Sequence, residues 1–473
     1  LFERQQVSVI GFDVLFAEAD ESSGLATLQE LARGPLRSQS AFQEQLKRLA
    51  PSLDYDVLFA QSLRGQPVVL GYYLSGEDRD GITKGTLPDP SLPLERLRGL
   101  PLGATTWRGY SSNIEALTRA APAAGFFNSI TDEDGVVRSL PLLAEYQGQY
   151  YESLALAMFR TAIGLPEIHP GFVNPTPVGT HDLLQSIVLR QDGRTLALPV
   201  DQQLATLIPY RGPGDAKGGS FRYISASDVL DGVLPPGQLK DQLVLVGSTA
   251  PGLLDLRVTP VGRTYPGVET HANVLSAFLD GKSIVRPDYA AGFDVLQLLC
   301  AGLLLAVALP LLSASSAVLL SAGVVSALVG LNLWMYIAQG LALPLATAVV
   351  MSMLAFALNM AYGYFVESRS KRELAALFSA YVPPELVAEM VKQPEHYSMQ
   401  ATNRELTVMF CDMRGFTAMS ERMEPLQLQG LLNEVFSKLT HIIRSHRGTI
   451  DKYMGDCVMA FWGAPVATPD HAQ

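Results

Sequence analysis

Cysteine is scarce in this chain of 473 residues, which limits how its first part is stabilised. Only three cysteines occur, and the first is Cys300. If residues 1–290 lie outside the cytoplasm, they fold without a disulfide. Cys411 and Cys457 each adjoin an aspartate. Neighbouring residues of a strand point to opposite faces. If the two aspartates face a functional site, we therefore expect both thiols to face a hydrophobic core.

Positively charged residues are fewer than negatively charged ones, and the chain has neither an initial Met nor a signal peptide. The formal net charge is −11, whereas binding of nucleic acid requires a basic surface, so nucleic acid is excluded as the main partner. The chain starts without Met or a signal peptide, just ahead of an apolar run, and stops shortly after a dense group of motifs. We therefore expect an internal fragment, truncated at both ends.

Charged residues are absent from residues 295–366, where Leu, Ala, Val, Met and aromatic residues dominate. A membrane-spanning helix needs about 20 such residues, so the run predicts three transmembrane helices within residues 293–366, near 295–312, 317–338 and 341–366. Arg369, Lys371 and Arg372 follow, and basic residues favour the cytoplasmic side. We predict a multi-pass protein of the inner (plasma) membrane, in contact with lipid, with residues 1–290 extracytoplasmic and residues 367 onward cytoplasmic.

Residues 1–290 alternate short apolar strands with helical stretches, which predicts an α/β domain. The predicted strands are 7–16, 68–74, 204–209 and 243–246, and the predicted helices are 154–163 and 268–279. Asp13, Glu18, Asp20 and Glu21 follow the first strand, at a position where open α/β sheets often hold ligands. Aspartates at strand ends more often satisfy turn donors, however, so both interpretations stay open.

A second stretch, residues 243–273, contains Asp255, Glu269 and His271. His271 lies on a helix with an apolar face and is interpreted as a structural histidine. Together the two stretches resemble the second type of CHASE domain, a sensory extracellular domain of bacterial cyclases and histidine kinases. The resemblance implies a sensor for an unidentified extracytoplasmic signal, preceded by a further membrane helix.

Residues 367–403 predict a helical linker between the membrane and the last domain. Leu374, Leu377, Phe378 and Tyr381 recur at helical spacing until Pro383-Pro384 interrupts the pattern. This apolar stripe either pairs with the same stripe of a second chain or packs on its own domain.

Residues 404–473 have the pattern of a truncated ferredoxin-like α+β domain. A strand at 406–411 precedes an amphipathic helix at 428–443, a glycine cap at Gly448, and two strands, 449–453 and 457–462, around the turn 454–456. This order brings Asp412 and Asp456 to one end of the sheet. Two converging carboxylates suit Mg²⁺ and substrate phosphates, although either aspartate alone would be an ordinary turn residue.

The motifs FCDMRGFT (410–417) and DKYMGD (451–456), followed by AFWGAP (460–465), resemble the catalytic domain of class III adenylate cyclases. The resemblance implies that Asp412, the Met413 carbonyl and Asp456 bind two Mg²⁺ ions, with Mn²⁺ as an alternative. It assigns Lys452 to the purine edge, which favours ATP over GTP. The other implied substrate contacts are Gly415, Phe416, Thr417 and Gly455.

The resemblance also implies a homodimer whose active sites form between two catalytic domains, so that Lys452 serves the partner's site. In the implied reaction the ribose 3′ oxygen attacks the α-phosphorus of ATP, giving 3′,5′-cyclic AMP and pyrophosphate. Two alternatives stay open: a guanylate cyclase, or a sensor protein whose cyclase domain is degenerate. The family's second purine-selecting residue and its transition-state Asn and Arg would lie beyond Gln473, so the fragment alone is expected to be inactive.

Overall fold

The computed structural model describes residues 2–76, 82–92, 104–172, 184–214, 219–249, 256–379, 403–464 and 469–472. It divides into two compact units. The first comprises Leu1–Gln297 with Ser326–Thr347, and the second comprises Leu298–Val325 with Ala348–Gln473.

The first unit combines strands and helices, as predicted. Its strands are β1 (Val9–Asp13), β2 (Val68–Ser75), β3 (Thr83–Lys84), β4 (Thr106–Trp107), β5 (Gly109–Ser111), β6 (Ala123–Phe126), β7 (Ser139–Pro141), β8 (Leu143–Tyr146), β9 (Gln149–Glu152), β10 (Glu167–Phe172), β11 (Leu184–Gln191), β12 (Arg194–Pro199), β13 (Ala205–Leu207), β14 (Leu243–Gly247), β15 (Leu256–Thr259) and β16 (Gly262–Pro266). Its helices before the apolar segment are α1 (Phe2–Gln5), α2 (Leu25–Arg33), α3 (Ser40–Leu53), α4 (Tyr55–Leu63), α5 (Glu115–Thr118), α6 (Leu154–Ala162), α7 (Ala226–Leu230) and α8 (Gly267–Asp280).

Four parallel strands, in the order β14-β1-β2-β6, form the centre of this unit. The inner strand β2 reads VVLGYYLS, the near-continuous apolar run expected of a strand covered on both faces. Helix α6, buried from Leu154 to Phe159, lies against this sheet. Glycines permit that close approach, because a Cβ on Gly11 would lie 2.1 Å from Met158 Sδ and one on Gly125 would lie 2.6 Å from Leu154 Cα. The sheet and α6 thus form the core of this unit.

Within the described residues, three helices are long and apolar enough to cross a membrane: Ala290–Leu311, Ala314–Gln339 and Ala346–Phe365. They correspond to helix α9 (Ala290–Ala308) with a following 3₁₀ turn, helix α10 (Ala314–Gln339) and the first part of helix α11 (Ala346–Ser379). The first begins earlier than predicted, because its first turns accommodate Asp294, whose carboxylate accepts a hydrogen bond from the Thr347 hydroxyl.

The third apolar helix begins at Ala346, later than the predicted residue 341. The preceding residues instead pair with the segment that leaves α8. Val285 N–H donates to the Gly340 carbonyl at 2.8 Å, and Ala342 N–H donates to the Val285 carbonyl at 2.9 Å. Gly340 ends α10 with φ +65°, and a Cβ there would lie 2.7 Å from the Ser283 carbonyl oxygen. Hydropathy could not reveal this contact, because the loop residues are themselves apolar.

Helix α11 continues through residue 379, so the third apolar helix and the start of the predicted linker form one helix. The predicted apolar stripe of the linker and the proline pair at 383–384 lie outside the residues whose side chains are described.

The catalytic-type region of the second unit has the predicted strand, helix and hairpin. Its elements are β17 (Thr407–Cys411), α12 (Phe416–Ser420), α13 (Pro425–Ser445), β18 (Thr449–Met454) and β19 (Cys457–Trp462). The sheet order is β17-β19-β18, with both pairs antiparallel. The first strand therefore lies beside the hairpin, as a ferredoxin-like sheet requires. One face packs on α13 through a small core that includes Ile443, Ile450, Val458 and Ala460.

Candidate active site

Strand register places the two predicted metal-binding aspartates beside each other. Cys411, the last residue of β17, pairs with Val458 of β19. In an antiparallel pair the next residue along one strand faces the previous residue along the other, so Asp412 lies opposite Cys457 and next to Asp456. The hairpin turn that carries Asp456 begins with Gly455 at φ +65°, a left-handed conformation that favours glycine.

The electrostatic environment of Cys457 agrees with this placement. Burial raises the pKa of the Cys457 thiol, and the carboxylates of Asp412 and Asp456 raise it further. Both carboxylates therefore act on the same sulfur. In the described part of the chain, neither has a lysine or arginine partner within salt-bridge distance. Two adjacent carboxylates without a cationic side chain form a donor set that suits a hard cation.

The two cysteines differ in their surroundings. Cys411 packs against the core between the sheet and α13, which confirms the prediction for that thiol. Cys457 precedes the fully buried Val458 on the strand and so points to the opposite face, beside the aspartates. The prediction that Cys457 faces the core is therefore wrong, because Asp456 lies in the hairpin turn and not on β19, so its direction does not determine that of Cys457.

A β-bulge determines where Lys452 points. Ile450 pairs with Ala460, but the next pair is Lys452 with Met459, so Asp451 is an extra residue. The bulge shifts the alternation by one residue and places Lys452 on the face opposite α13. Lys452 Nζ lies 3.1 Å from Asp451 Oδ2, and both side chains are partly exposed.

Sequence reasoning did not single out Tyr453. Its hydroxyl lies 2.6 Å from Thr440 Oγ1 of α13. The only hint in the sequence is an aromatic residue between Lys452 and the turn.

The loop after β17 brings Met413 and Gly415 next to Asp412. Met413 N–H donates to Asp412 Oδ1 at 3.1 Å, and Gly415 has φ +77° where α12 begins. The Met413 carbonyl accepts from Phe416 N–H at 3.4 Å, which leaves a second lone pair on that oxygen. Thr417 follows on the same short helix. Most of the residues predicted to contact metal and phosphate thus lie within residues 412–417, at one sheet end.

Most of the carboxylates near the first strand serve the local fold. Asp20 accepts hydrogen bonds from Ser22 and Ser23 N–H, and Glu18 pairs with Lys84 while exposed to solvent. Asp13 ends β1 and has an interaction partner, and Glu21 is exposed. The turn interpretation therefore holds for Asp20, while Asp255 lies outside the described residues.

His271 is a buried residue of α8, as its structural interpretation predicts. It is 1% exposed, and its Nε2 lies 3.3 Å from the Phe127 carbonyl oxygen. Burial lowers the pKa of His271 to about 4, with a smaller lowering by Arg257. The imidazole is therefore neutral at pH 7.

Comparison with known protein families decides the classification. A family model described as the CHASE2 domain matches residues 2–311, which is more than half of the chain. The chain belongs to the CHASE2 family. A second model, described as the adenylate and guanylate cyclase catalytic domain, matches residues 398–473. This CHASE2 protein therefore combines a sensor domain, three apolar helices and cyclase catalytic sequence.

Named relatives match the cyclase region. Adenylate cyclase 1 of Rhizobium meliloti is 36% identical over 102 residues, which are 22% of this chain and 15% of that protein. Adenylate cyclase of Anabaena cylindrica is 37% identical over 87 residues, 18% of this chain and 17% of that protein. The chain thus matches less than a fifth of the length of either relative.

Among solved structures, the adenylyl cyclase CyaB from P. aeruginosa is 48% identical over 13% of this chain and 32% of that chain, with a TM-score of 0.13.

Within the described residues, no group of three or more His, Cys, Asp or Glu side chains forms a metal cluster.

Proposed function

We propose that this CHASE2 protein is a membrane-bound, receptor-type adenylate cyclase that converts ATP to 3′,5′-cyclic AMP and pyrophosphate. The observation that supports it most is the adjacency of Asp412 and Asp456, within a region that matches the cyclase catalytic domain. Relatives named adenylate cyclase are similar over this same region.

The residues at this sheet end fit a divalent metal. Asp412 and Asp456 would hold two Mg²⁺ ions, or Mn²⁺ in their place, with the Met413 carbonyl as a further oxygen donor. When bound, such ions supply charge stabilisation at the phosphates and make a hydroxyl more acidic. The protein contributes a fixed pair of carboxylates, because β17 and β19 hold them in register.

Substrate recognition is assigned to the residues around the pair. Gly415, Phe416 and Thr417 would present backbone N–H groups to the triphosphate, and Gly455 permits the turn beside it. Lys452 would donate to the adenine edge. Its face supports this role in a composite site, since it points away from α13 and so outward from its own domain.

A homodimer would complete such a site, because Lys452 of one chain would face the aspartates of the other. On the face opposite α13, Val408 is 46% and Phe410 is 62% exposed. These alternate with Met409, which packs inward. A sheet face with exposed large apolar side chains is stabilised when another surface covers it. We propose that a second catalytic domain covers it and contributes Lys452, which places the pair Asp412–Asp456 of one chain opposite Lys452 of the other.

The proposed arrangement in the membrane follows from the three apolar helices and the basic residues after them. Residues 1–290 form the extracytoplasmic sensor, residues 293–366 the membrane segment, residues 367–403 the linker and residues 404–473 catalytic sequence in the cytoplasm. The sensed signal acts outside the cytoplasm.

The test measures cyclic nucleotide formation from ATP and from GTP by membranes that contain the full-length protein, at saturating Mg²⁺. Asp412→Asn and Asp456→Asn keep the side-chain shape and should each lower cyclic AMP formation by about two orders of magnitude or more. Glu434→Gln is the control, because Glu434 is an exposed carboxylate paired with Lys438 on α13. Near-normal activity of either aspartate variant would refute the assignment, and preference for GTP would identify a guanylate cyclase instead.

A further inference from the structure

The catalytic hairpin needs an anchor that the strand ladder alone does not supply. In the described part of the chain, β18 is the edge strand of its sheet and pairs only with β19. Thr449 and Ile450 at its base are buried, whereas Lys452, Tyr453 and Met454 near its tip are exposed. The tip nevertheless carries both Lys452 and the turn to Asp456.

The β-bulge at Asp451 returns one side chain of the tip to the helix. After the bulge, Tyr453 pairs with Val458, whose side chain is fully buried against α13. Cross-strand partners lie on the same face of a sheet. Tyr453 therefore projects towards α13, while Lys452 projects to the other side.

Two contacts hold Tyr453 to the helix. Its ring stacks at a tilt on Phe436, with ring centroids 4.9 Å apart. Its hydroxyl lies 2.6 Å from Thr440 Oγ1, one turn further along α13. The ring contact and the hydrogen bond attach the Tyr453 side chain to α13 at two points. Together they restrict the position of the hairpin tip relative to the helix.

We propose that Tyr453, through Thr440 and Phe436, is a positioning residue for the catalytic hairpin. Tyr453 holds the turn so that Asp456 stays beside Asp412, and it holds Lys452 on the outward face. This inference rests on the proposed function. A small displacement of a metal-binding carboxylate is costly, since about 1 Å of misplacement can lower a rate by up to about 100-fold.

The positioning role is tested by removing the hydroxyl of Tyr453 or that of Thr440, the two partners of the hydrogen bond. Tyr453→Phe keeps the ring contact, and Thr440→Val keeps the shape of the threonine. Each should lower kcat about fivefold and weaken Mn²⁺ binding, measured by electron paramagnetic resonance, by a similar factor. The double variant should be no worse than either single variant, because both remove the same bond. Ser445→Ala is the control, since its hydroxyl donates to the Ile442 carbonyl of its own helix.

The outcomes separate this role from the proposed function. If the parent protein forms cyclic AMP and binds Mn²⁺ while Tyr453→Phe stays within twofold on both measures, the positioning role is overturned and the proposed function stands. If the two single effects multiply in the double variant, the bond is not the cause and the role is also overturned. A parent protein that neither binds Mn²⁺ nor forms cyclic AMP overturns the proposed function and this role with it.

Discussion

At the scale of single residues, the proposed function assigns the choice of purine to Lys452. Lys452→Glu replaces a hydrogen-bond donor to adenine with an acceptor and leaves an unpaired group, which costs about 1 to 3 kcal/mol, more when charged. We therefore expect kcat/KM for ATP to fall at least about tenfold, without a full gain of activity on GTP. Lys438→Glu on α13 is the control. Unchanged ATP kinetics would remove Lys452 from the site.

His271 gives the sensor region a predictable response to acid. Burial lowers its pKa to about 4 in the folded state, whereas an unfolded chain has a His pKa near about 6.5. Between about pH 4 and about pH 6.5, His271 is therefore protonated in the unfolded chain and neutral in the folded protein. The stability from neutral His271 is therefore complete above about pH 6.5 and falls by about 3 kcal/mol as the pH drops to about 4.

The melting midpoint of the detergent-solubilised protein, followed by circular dichroism between pH 4 and 7, measures this effect. His271→Gln should flatten the decline, and the partly exposed His169→Gln should not. An equally steep decline in His271→Gln would show that other groups cause it.

Residue identity predicted the aspartate pair, but not the way in which the hairpin is held. Asp412 follows an apolar strand and Asp456 lies in a hairpin turn, at a spacing that a strand, a helix and a hairpin bring together. The extra residue Asp451 is invisible to a period-of-two pattern. The bulge is apparent only once Ile450 is paired with Ala460 and Lys452 with Met459. The mistaken prediction for Cys457 has a different origin, because it applied strand alternation to Asp456, which lies in the hairpin turn.

At the scale of elements, the loop between α10 and α11 is attached to the segment that leaves the sensor domain. The attachment comprises the two backbone hydrogen bonds at Val285 and a bond from the buried Gln297 Nε2 to the Pro344 carbonyl at 3.1 Å. The sequence could not predict it, because backbone pairing leaves no mark in an apolar loop.

Gly340→Ala tests the attachment. At φ +65° any side chain is strained, and the new Cβ would lie 2.7 Å from the Ser283 carbonyl. We expect amide exchange at Val285 and Ala342 to accelerate at least about tenfold, because strain and a lost contact together cost about 1 to 3 kcal/mol. Gly330→Ala is the matched control, since nothing lies within 4 Å of its new Cβ. Equal protection in both variants would mean that the loop is held in another way.

At the scale of the whole molecule, the third apolar helix continues as one helix to residue 379, and the cyclase sequence follows it in the chain. Two residues inserted near Ala376 rotate the following helix by about 200°, whereas seven nearly restore its face. Regulation of cyclase activity by the sensor should fail in the first case and largely survive in the second. The coupling free energy between the sensor and the catalytic site is typically about 1 to 3 kcal/mol. Cyclase activity that is the same in both insertions and in the parent would make the linker a passive tether.

The central claim is that this CHASE2 protein forms cyclic AMP at sites shared between two chains. Asp456→Ala and Lys452→Ala are each expected to be nearly inactive when expressed alone. Co-expressed, half of the dimers are mixed, and each mixed dimer has one site with both residues intact, so membranes should regain about a quarter of the parent's Mg²⁺-dependent cyclic AMP formation. If co-expression gives no more activity than the single variants, or if the parent itself forms no cyclic AMP from ATP, the account is contradicted.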